Sequence, residues 1–366
     1  MNEILPAAVG RLERGIDAGL HIGAQLYVSR HGEPVADVAI GEARPGVAMT
    51  PEHLVLWMSS TKPITAIAVA QQVEQGKLDL DARVARYLPD FGQHGKDRVT
   101  LRHLLTHTGG FRPPRFDYPQ DDWDTIIEKI CAMPIERDWE PGEKAGYHTH
   151  TSWFVLGELV RRVSGEPISD YVRAHIFEPI GINNSWIGMP PERYDAYADR
   201  IAVMMDTAKG EQKPWVAPAE QKAWITHARP GGNGYGPTRE LGRFYEMLLN
   251  GGELNGRRIV QPDTVRLFTA RHRVSLYDHT FRHTMDWGLG FMVDSKRYGA
   301  DTVPYGFGDR ASERSFGHSG SQSSTAFVDP EHGLVVALVC NGMPGEPKHQ
   351  RRMRAVLVAV YEDLGL

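Results

Sequence analysis

A serine three residues ahead of a lysine can do acyl chemistry, and this chain has that pairing at Ser59-Ser60-Thr61-Lys62. Apolar residues run into Ser59, and a long, largely apolar segment follows Lys62 as far as Val73, before Gly76. The spacing predicts a buried helix with Gly76 as its C-terminal stop. Pro63 fits only a first helical turn, so Ser59 falls at or just before the helix N-terminus. Residues three apart share a helix face, roughly 5–6 Å apart at Cβ. The Ser59 hydroxyl and the Lys62 amine therefore share one site, and the free N–H groups of the helix start point at it. A serine placed there can attack a carbonyl while backbone N–H groups receive the oxyanion. The four residues alone fit an N-cap serine and a solvated lysine better than they fit chemistry. The apolar helix behind them favours chemistry, because it leaves little polar face to solvate a lysine.

Two further stretches carry candidate groups. Tyr147 sits in the turn-rich run Pro141-Gly142-Glu143-Lys144-Ala145-Gly146-Tyr147-His148-Thr149-His150-Thr151. A nearby lysine would favour phenolate and lower its pKa, making it a general base for a serine; the alternative is a half-buried tyrosine using its hydroxyl in a hydrogen bond. Phe316-Gly317-His318-Ser319-Gly320-Ser321 opens a C-terminal strand, and its glycines suit close backbone approach, either to a substrate carbonyl or in a bulge. The pairs His279/His283 and His103/His107 have i, i+4 spacing but lack the glutamate of a zinc-peptidase motif, and no cysteine cluster supports a metal. No metal and no cofactor is expected. No Gly-x-Ser-x-Gly elbow is present.

The elements that must hold these residues can be read around them. Leu5, Val9, Leu12 and Ile16 predict an amphipathic first helix. Ala24–Ser29 and Val35–Ile40 predict a hairpin turning at Arg30-His31-Gly32. From Asp79 to about Trp287 helical patterns dominate: Leu101–His107 capped by Thr100, Trp153–Val163 ending at Gly165, one capped by Ser169, and one capped by Thr238 and running to Leu249. Between Pro190 and Gly236 the pattern is irregular, as in a functional lid. Strands return at Ser324–Val328 and Leu334–Val339, and a last helix has Met353, Val356, Leu357, Val360 and Leu364 on one face. The expected architecture is α/β (α+β): residues 1–78 and 288–366 form a discontinuous domain, an antiparallel sheet with terminal helices, and residues 79–287 form a mainly helical domain with the lid-like region 190–236.

Composition narrows the partners. The chain has 366 residues, 41% hydrophobic and 24% charged, with a net charge of −5. That balance argues against a nucleic-acid or anionic-membrane partner. The basic run Lys348–Arg354 reads as the solvated face of the last helix. Met1-Asn2-Glu3-Ile4-Leu5-Pro6 has no basic n-region or apolar core of a leader, no apolar run approaches the roughly 20 residues of a membrane span, and Cys131 and Cys340 read as free thiols. These readings make a cytoplasmic enzyme the expectation; oligomeric state is not legible.

In combination and order, these motifs resemble the serine β-lactamase and penicillin-binding-protein superfamily, in its class C-like branch with the family VIII carboxylesterases. Ser59-Ser60-Thr61-Lys62-x-x-Thr65-Ala66 resembles the nucleophile motif. Tyr147-His148-Thr149 stands where the family has Tyr-x-Asn, and His318-Ser319-Gly320 where β-lactamases have Lys-Thr-Gly. Thr100–Gly110, Leu156-Gly157-Glu158, Glu178–Gly181 and Gly231–Gly234 also match. The resemblance implies a β-lactamase/transpeptidase-like fold. It implies Ser59 as nucleophile, Lys62 and Tyr147 as the proton-transfer pair (which is the primary base stays open), and backbone N–H groups of Ser59 and Ser321 as oxyanion hole. Thr149, His318, Ser319 and Gly320 would bind substrate. Thr149 and His318 depart from the family's asparagine and carboxylate-recognising lysine, which weakens a dedicated β-lactamase. The expected function is hydrolysis of a small-molecule ester or amide, carboxylesterase-like with at most weak β-lactamase side activity. An acyltransferase or transamidase, a D-amino-acid peptidase and an acylated sensor are the alternatives.

Overall fold

The computed structural model describes residues 4–113 and 116–366. Met1–Glu3, part of the stretch read for a leader, lie outside them. Nine strands form one sheet: β1 (Gly23–Arg30), β2 (Glu33–Arg44), β3 (Val47–Ala48), β4 (Arg273–Asp278), β5 (His283–Trp287), β6 (Met292–Val293), β7 (Phe316–Gly320), β8 (Ser324–Asp329) and β9 (Leu334–Cys340). Their spatial order is β4-β5-β6-β7-β8-β9-β1-β2-β3, and every pairing is antiparallel. The two ends of the chain meet in the middle, where β1 pairs with β9 and Leu26 lies opposite Leu338.

Both central strands are buried along nearly their whole length because both faces of the sheet are covered. Side chains alternate across a strand. Leu26, Val28, Val336 and Leu338 face one way, against α1 (Pro6–Asp17) and the C-terminal helix α6 (Glu346–Asp363). Tyr27, Val335, Ala337 and Val339 face the other way, into the core holding α2 (Lys62–Glu74), α3 (Leu101–Leu105), α4 (Thr151–Ser164) and α5 (Thr238–Leu249). α2 is buried from Lys62 to Gln72, as its apolar sequence predicts. Among the described residues, no helix is long and apolar enough to cross a membrane. Cys131 and Cys340 are free and buried.

Several local expectations change. Thr100 caps α3 as expected, in a capping box with His103. Ser169 is no cap: it lies inside the short helix Ile168–Val172, whose N-cap is Pro167. Thr238 is the first residue of α5 after Pro237, and its hydroxyl makes no capping bond. β4 and β5 lie within the stretch expected to be mainly helical, so the sheet reaches back across residue 287. β4 is an edge strand with β5 beside it, and the many polar residues of both blur the apolar alternation that marks a strand. The helix Trp123–Ala132, capped by Asp122, joins those predicted.

Candidate active site

Ser59 sits in a short 3-10 turn, Met58–Thr61, that runs straight into α2. The turn is stitched to the sheet. The Ser60 hydroxyl donates to the His318 carbonyl at 2.9 Å, and the Ser324 hydroxyl donates to the Trp57 carbonyl at 2.6 Å. Of the two adjacent serines, Ser60 is thus fully buried and structural, while Ser59 lines a cavity. Gly320 is required because the turn crosses directly over it: a Cβ there would lie 2.6 Å from the Trp57 carbonyl oxygen and 2.7 Å from Met58 Cβ. From below, Trp57 N–H donates to Gly234 C=O, and Gly234 N–H donates to Thr61 Oγ1, each at 2.8 Å. Pro230–Gly236, the end of the stretch expected as a lid, is therefore a floor beneath the nucleophile. Its glycines allow that approach: a Cβ at Gly234 would lie 2.7 Å from both Thr61 Oγ1 and the Trp57 ring.

Lys62 is fully buried, with Nζ 3.0 Å from Ser59 Oγ. Nζ donates to the carbonyls of Thr149 at 3.0 Å and Gly231 at 2.6 Å. Burial holds its pKa well below that of an ordinary lysine. A neutral amine has two N–H bonds and one lone pair. Once Nζ has lost a proton, the two carbonyls hold its hydrogens and the lone pair can face the serine hydroxyl, to which the protonated amine donates.

Tyr147 completes the group at the start of the turn leading to α4. Its ring centre lies 5.0 Å from Lys62 Nζ, and it packs against His107 and Phe281, both 4.7 Å between ring centres. The expected lowering of its pKa is reversed. Burial pushes it up, outweighing a hydrogen bond with Ser59 that pulls it down, and the Asp278 carboxylate adds to the rise. Burial also disfavours the charge on the lysine that was to stabilise phenolate, and Tyr147 is held as a neutral phenol. Its backbone is anchored by Asp278, which accepts the Tyr147 N–H at 3.1 Å, and by Thr280 Oγ1, which donates to its carbonyl at 3.1 Å.

The cavity in front of Ser59 has a volume of about 480 Å³. Ser59, Tyr147, Thr149, Ser319 and Ser321 all reach it. His318 and Gly320 do not. They share the face of β7 that meets the nucleophile turn, and the His318 ring is buried 5.5 Å from Trp287 and 6.0 Å from Tyr147. Burial drives the His318 pKa well below its ordinary value, so it is neutral and cannot stand in for a carboxylate-binding lysine. The remaining wall comes from residues the motifs did not mark: Phe281, Met292, Pro304, Tyr305, Glu346, Pro347 and Gln350 among them. Only their position reveals them, although Glu346 could be read as the acidic first residue of a helix opening with Pro347. The Tyr305 hydroxyl donates to the Glu346 carboxylate at 2.7 Å. His103 and His107 are engaged apart: His103 Nδ1 accepts from Thr100 N–H and His107 Nδ1 from His148 N–H. Among the described residues, no cluster of three or more metal-ligating side chains forms.

The model of the Beta-lactamase family matches residues 10–361. "Esterase/beta-lactamase LipL" of Mycobacterium tuberculosis is 28% identical over 87% of this chain and 77% of its own length. An N-acetylmuramyl-L-alanine amidase of Bacillus subtilis is 25% identical over 90% of this chain and 79% of its own. Among solved structures, a penicillin-binding-protein homologue from Caulobacter crescentus aligns with a TM-score of 0.80 at 30% identity, covering 97% of both chains. A family VIII carboxylesterase aligns with a TM-score of 0.81 at 27% identity, covering 99% of this chain and 98% of that one.

Proposed function

We propose that this chain, a serine hydrolase belonging to the Beta-lactamase family, is a carboxylesterase that hydrolyses small uncharged esters through an acyl-enzyme on Ser59. The observation that carries the reading is the set of partners around the buried Lys62 Nζ: the Thr149 and Gly231 carbonyls and Ser59 Oγ, all within 3.0 Å. Lys62 takes the Ser59 proton as Oγ bonds to the acyl carbon. The N–H groups of Ser59 and Ser321 hold the oxyanion. The intermediate collapses, the alcohol leaves, and the proton passes to it from Lys62 through the Tyr147 hydroxyl. A water then attacks the acyl carbon and gives a proton to the same pair, which passes it to Ser59 Oγ as the acyl–oxygen bond breaks and the acid leaves. Lys62 is the primary base in this scheme, because burial favours the neutral form of both groups, which readies the amine to take a proton and the phenol to keep its own.

The named relatives span esterase, amidase and penicillin-binding protein, so family alone leaves the substrate open. The cavity wall favours a neutral ester. Among its described residues Glu346 carries the only charge, and that charge repels a carboxylate. The test is a panel of p-nitrophenyl esters, nitrocefin and a D-alanyl-D-alanine peptide, with mass spectra of the quenched intact protein. Short esters are expected to turn over fastest, with an acyl adduct on Ser59 that is absent in Ser59→Ala. A folded Ser59→Ala retaining more than about a tenth of the activity would remove the nucleophile assignment. An adduct without turnover would favour a sensor, and acceleration by added alcohol or amine an acyltransferase.

A further inference from the structure

His107 lies just beyond α3, with a backbone φ of +58° that few residues other than glycine and asparagine adopt readily. It touches the segment of Tyr147 three times. Its carbonyl accepts the Gly146 N–H at 2.9 Å. Its Nδ1 accepts the His148 N–H at 3.0 Å. Its ring packs 4.7 Å from the Tyr147 ring and 4.6 Å from Trp287. One residue thus takes the peptide N–H on each side of the tyrosine, while Asp278 and Thr280 hold the tyrosine's own peptide groups. Accepting at Nδ1 requires a neutral ring with its hydrogen on Nε2, and the ring is fully buried.

We propose that His107 is a positioning residue for Tyr147: its carbonyl and its Nδ1 hold the N–H groups of the residues on either side, Gly146 and His148, and so fix where the phenol hydroxyl meets Ser59 and Lys62. The inference rests on the reading of Tyr147 as part of the proton-transfer pair. His107 acts only through the tyrosine and touches no substrate; it does not line the cavity. The left-handed backbone and the Nδ1 acceptor belong together, because the backbone turn aims the ring at the His148 N–H.

Asparagine and glutamine separate this role from general packing. An asparagine Oδ1 takes the place of Nδ1, and asparagine tolerates the left-handed backbone. A glutamine offers its acceptor one bond further out, near the place of Nε2. Steady-state hydrolysis of p-nitrophenyl butyrate should show His107→Asn within about fivefold of wild type. His107→Gln should lose roughly 10- to 100-fold in kcat with KM within threefold, the scale on which small misplacements of catalytic groups act. In the Tyr147→Phe background, His107→Gln should cost less than a further twofold, because the group it positions is gone. Equal losses for Asn and Gln, or a Gln loss that multiplies onto Tyr147→Phe, would overturn the proposal and leave His107 a packing residue. Tyr147→Phe with full activity would instead remove the role of the tyrosine, and this inference with it.

Discussion

Replacing Gly320 by alanine tests whether β7 sets the position of the nucleophile. The added methyl group would overlap Ser324 Oγ and lie 2.6 Å from the Trp57 carbonyl oxygen and 2.7 Å from Met58 Cβ. Ser324 can swing away only by giving up its bond to that same carbonyl. Carbon contacts settle at about 3.5–4.0 Å, so Trp57–Met58 must retreat by roughly 0.8 Å. Ser59 is the next residue and moves with them. A displacement near 1 Å costs about 10²-fold in rate, so kcat/KM for p-nitrophenyl butyrate should fall about 100-fold in protein that remains folded by circular dichroism. Gly317→Ala is the control. Its methyl group would overlap the Ala326 carbonyl and lie 2.5 Å from Phe327 Cα, a clash as severe but directed at β8 rather than at the nucleophile turn. It should lower Tm while folded protein keeps most of its kcat/KM. A folded Gly320→Ala within threefold of wild type, or equal rate losses for the two variants, would refute the reasoning.

Three more outcomes are expected. The rate of acylation should rise with pH as Lys62 loses its proton, on a limb centred well below the ~10.4 of an ordinary lysine; a limb above 10 would make the high-pKa phenol Tyr147 the base instead. Lys62→Ala and Tyr147→Phe should each cost orders of magnitude in kcat, and the double variant little more than the worse single one, because residues that act as a unit are non-additive; multiplied losses would show two independent roles. Glu346→Gln should raise kcat/KM for a p-nitrophenyl hemisuccinate relative to the neutral butyrate by about two- to fivefold, since an exposed charge contributes at most ~1 kcal/mol; an unchanged ratio would mean that Glu346 does not select against carboxylates.

The nucleophile helix, the central strands and the terminal helices were legible because one local signal, uninterrupted or periodic apolar sequence, decides them. Tyr147 was legible as a position but not in its protonation. A neighbouring lysine lowers a tyrosine pKa only while it is charged, and the depth that disfavours the charge on Lys62 also removes water from the phenol. The side on which His318 projects depends on strand register against β8, which sequence spacing does not reveal. Pro230–Gly236 read as a lid because glycine-rich irregular sequence serves close packing and loops alike; only the Trp57 and Thr61 contacts identify it as a floor. The cavity wall was invisible for a similar reason, as Phe281, Tyr305 and Glu346 meet only after β4 to β7 and α6 have assembled.

The carbonyls that hold Lys62 lie 87 and 169 residues along the chain from it. A newly made or unfolded chain has Ser59 and Lys62 side by side without those partners and without burial. Its lysine then has an ordinary pKa near 10.4, is protonated at neutral pH, and leaves the serine inert. Full reactivity of the serine thus depends on completion of the fold, which brings the distant carbonyls and the burial to Lys62. A covalent serine-directed probe should in turn label only molecules whose distant segments have closed on the lysine, and its stoichiometry would count native protein in a mixed sample.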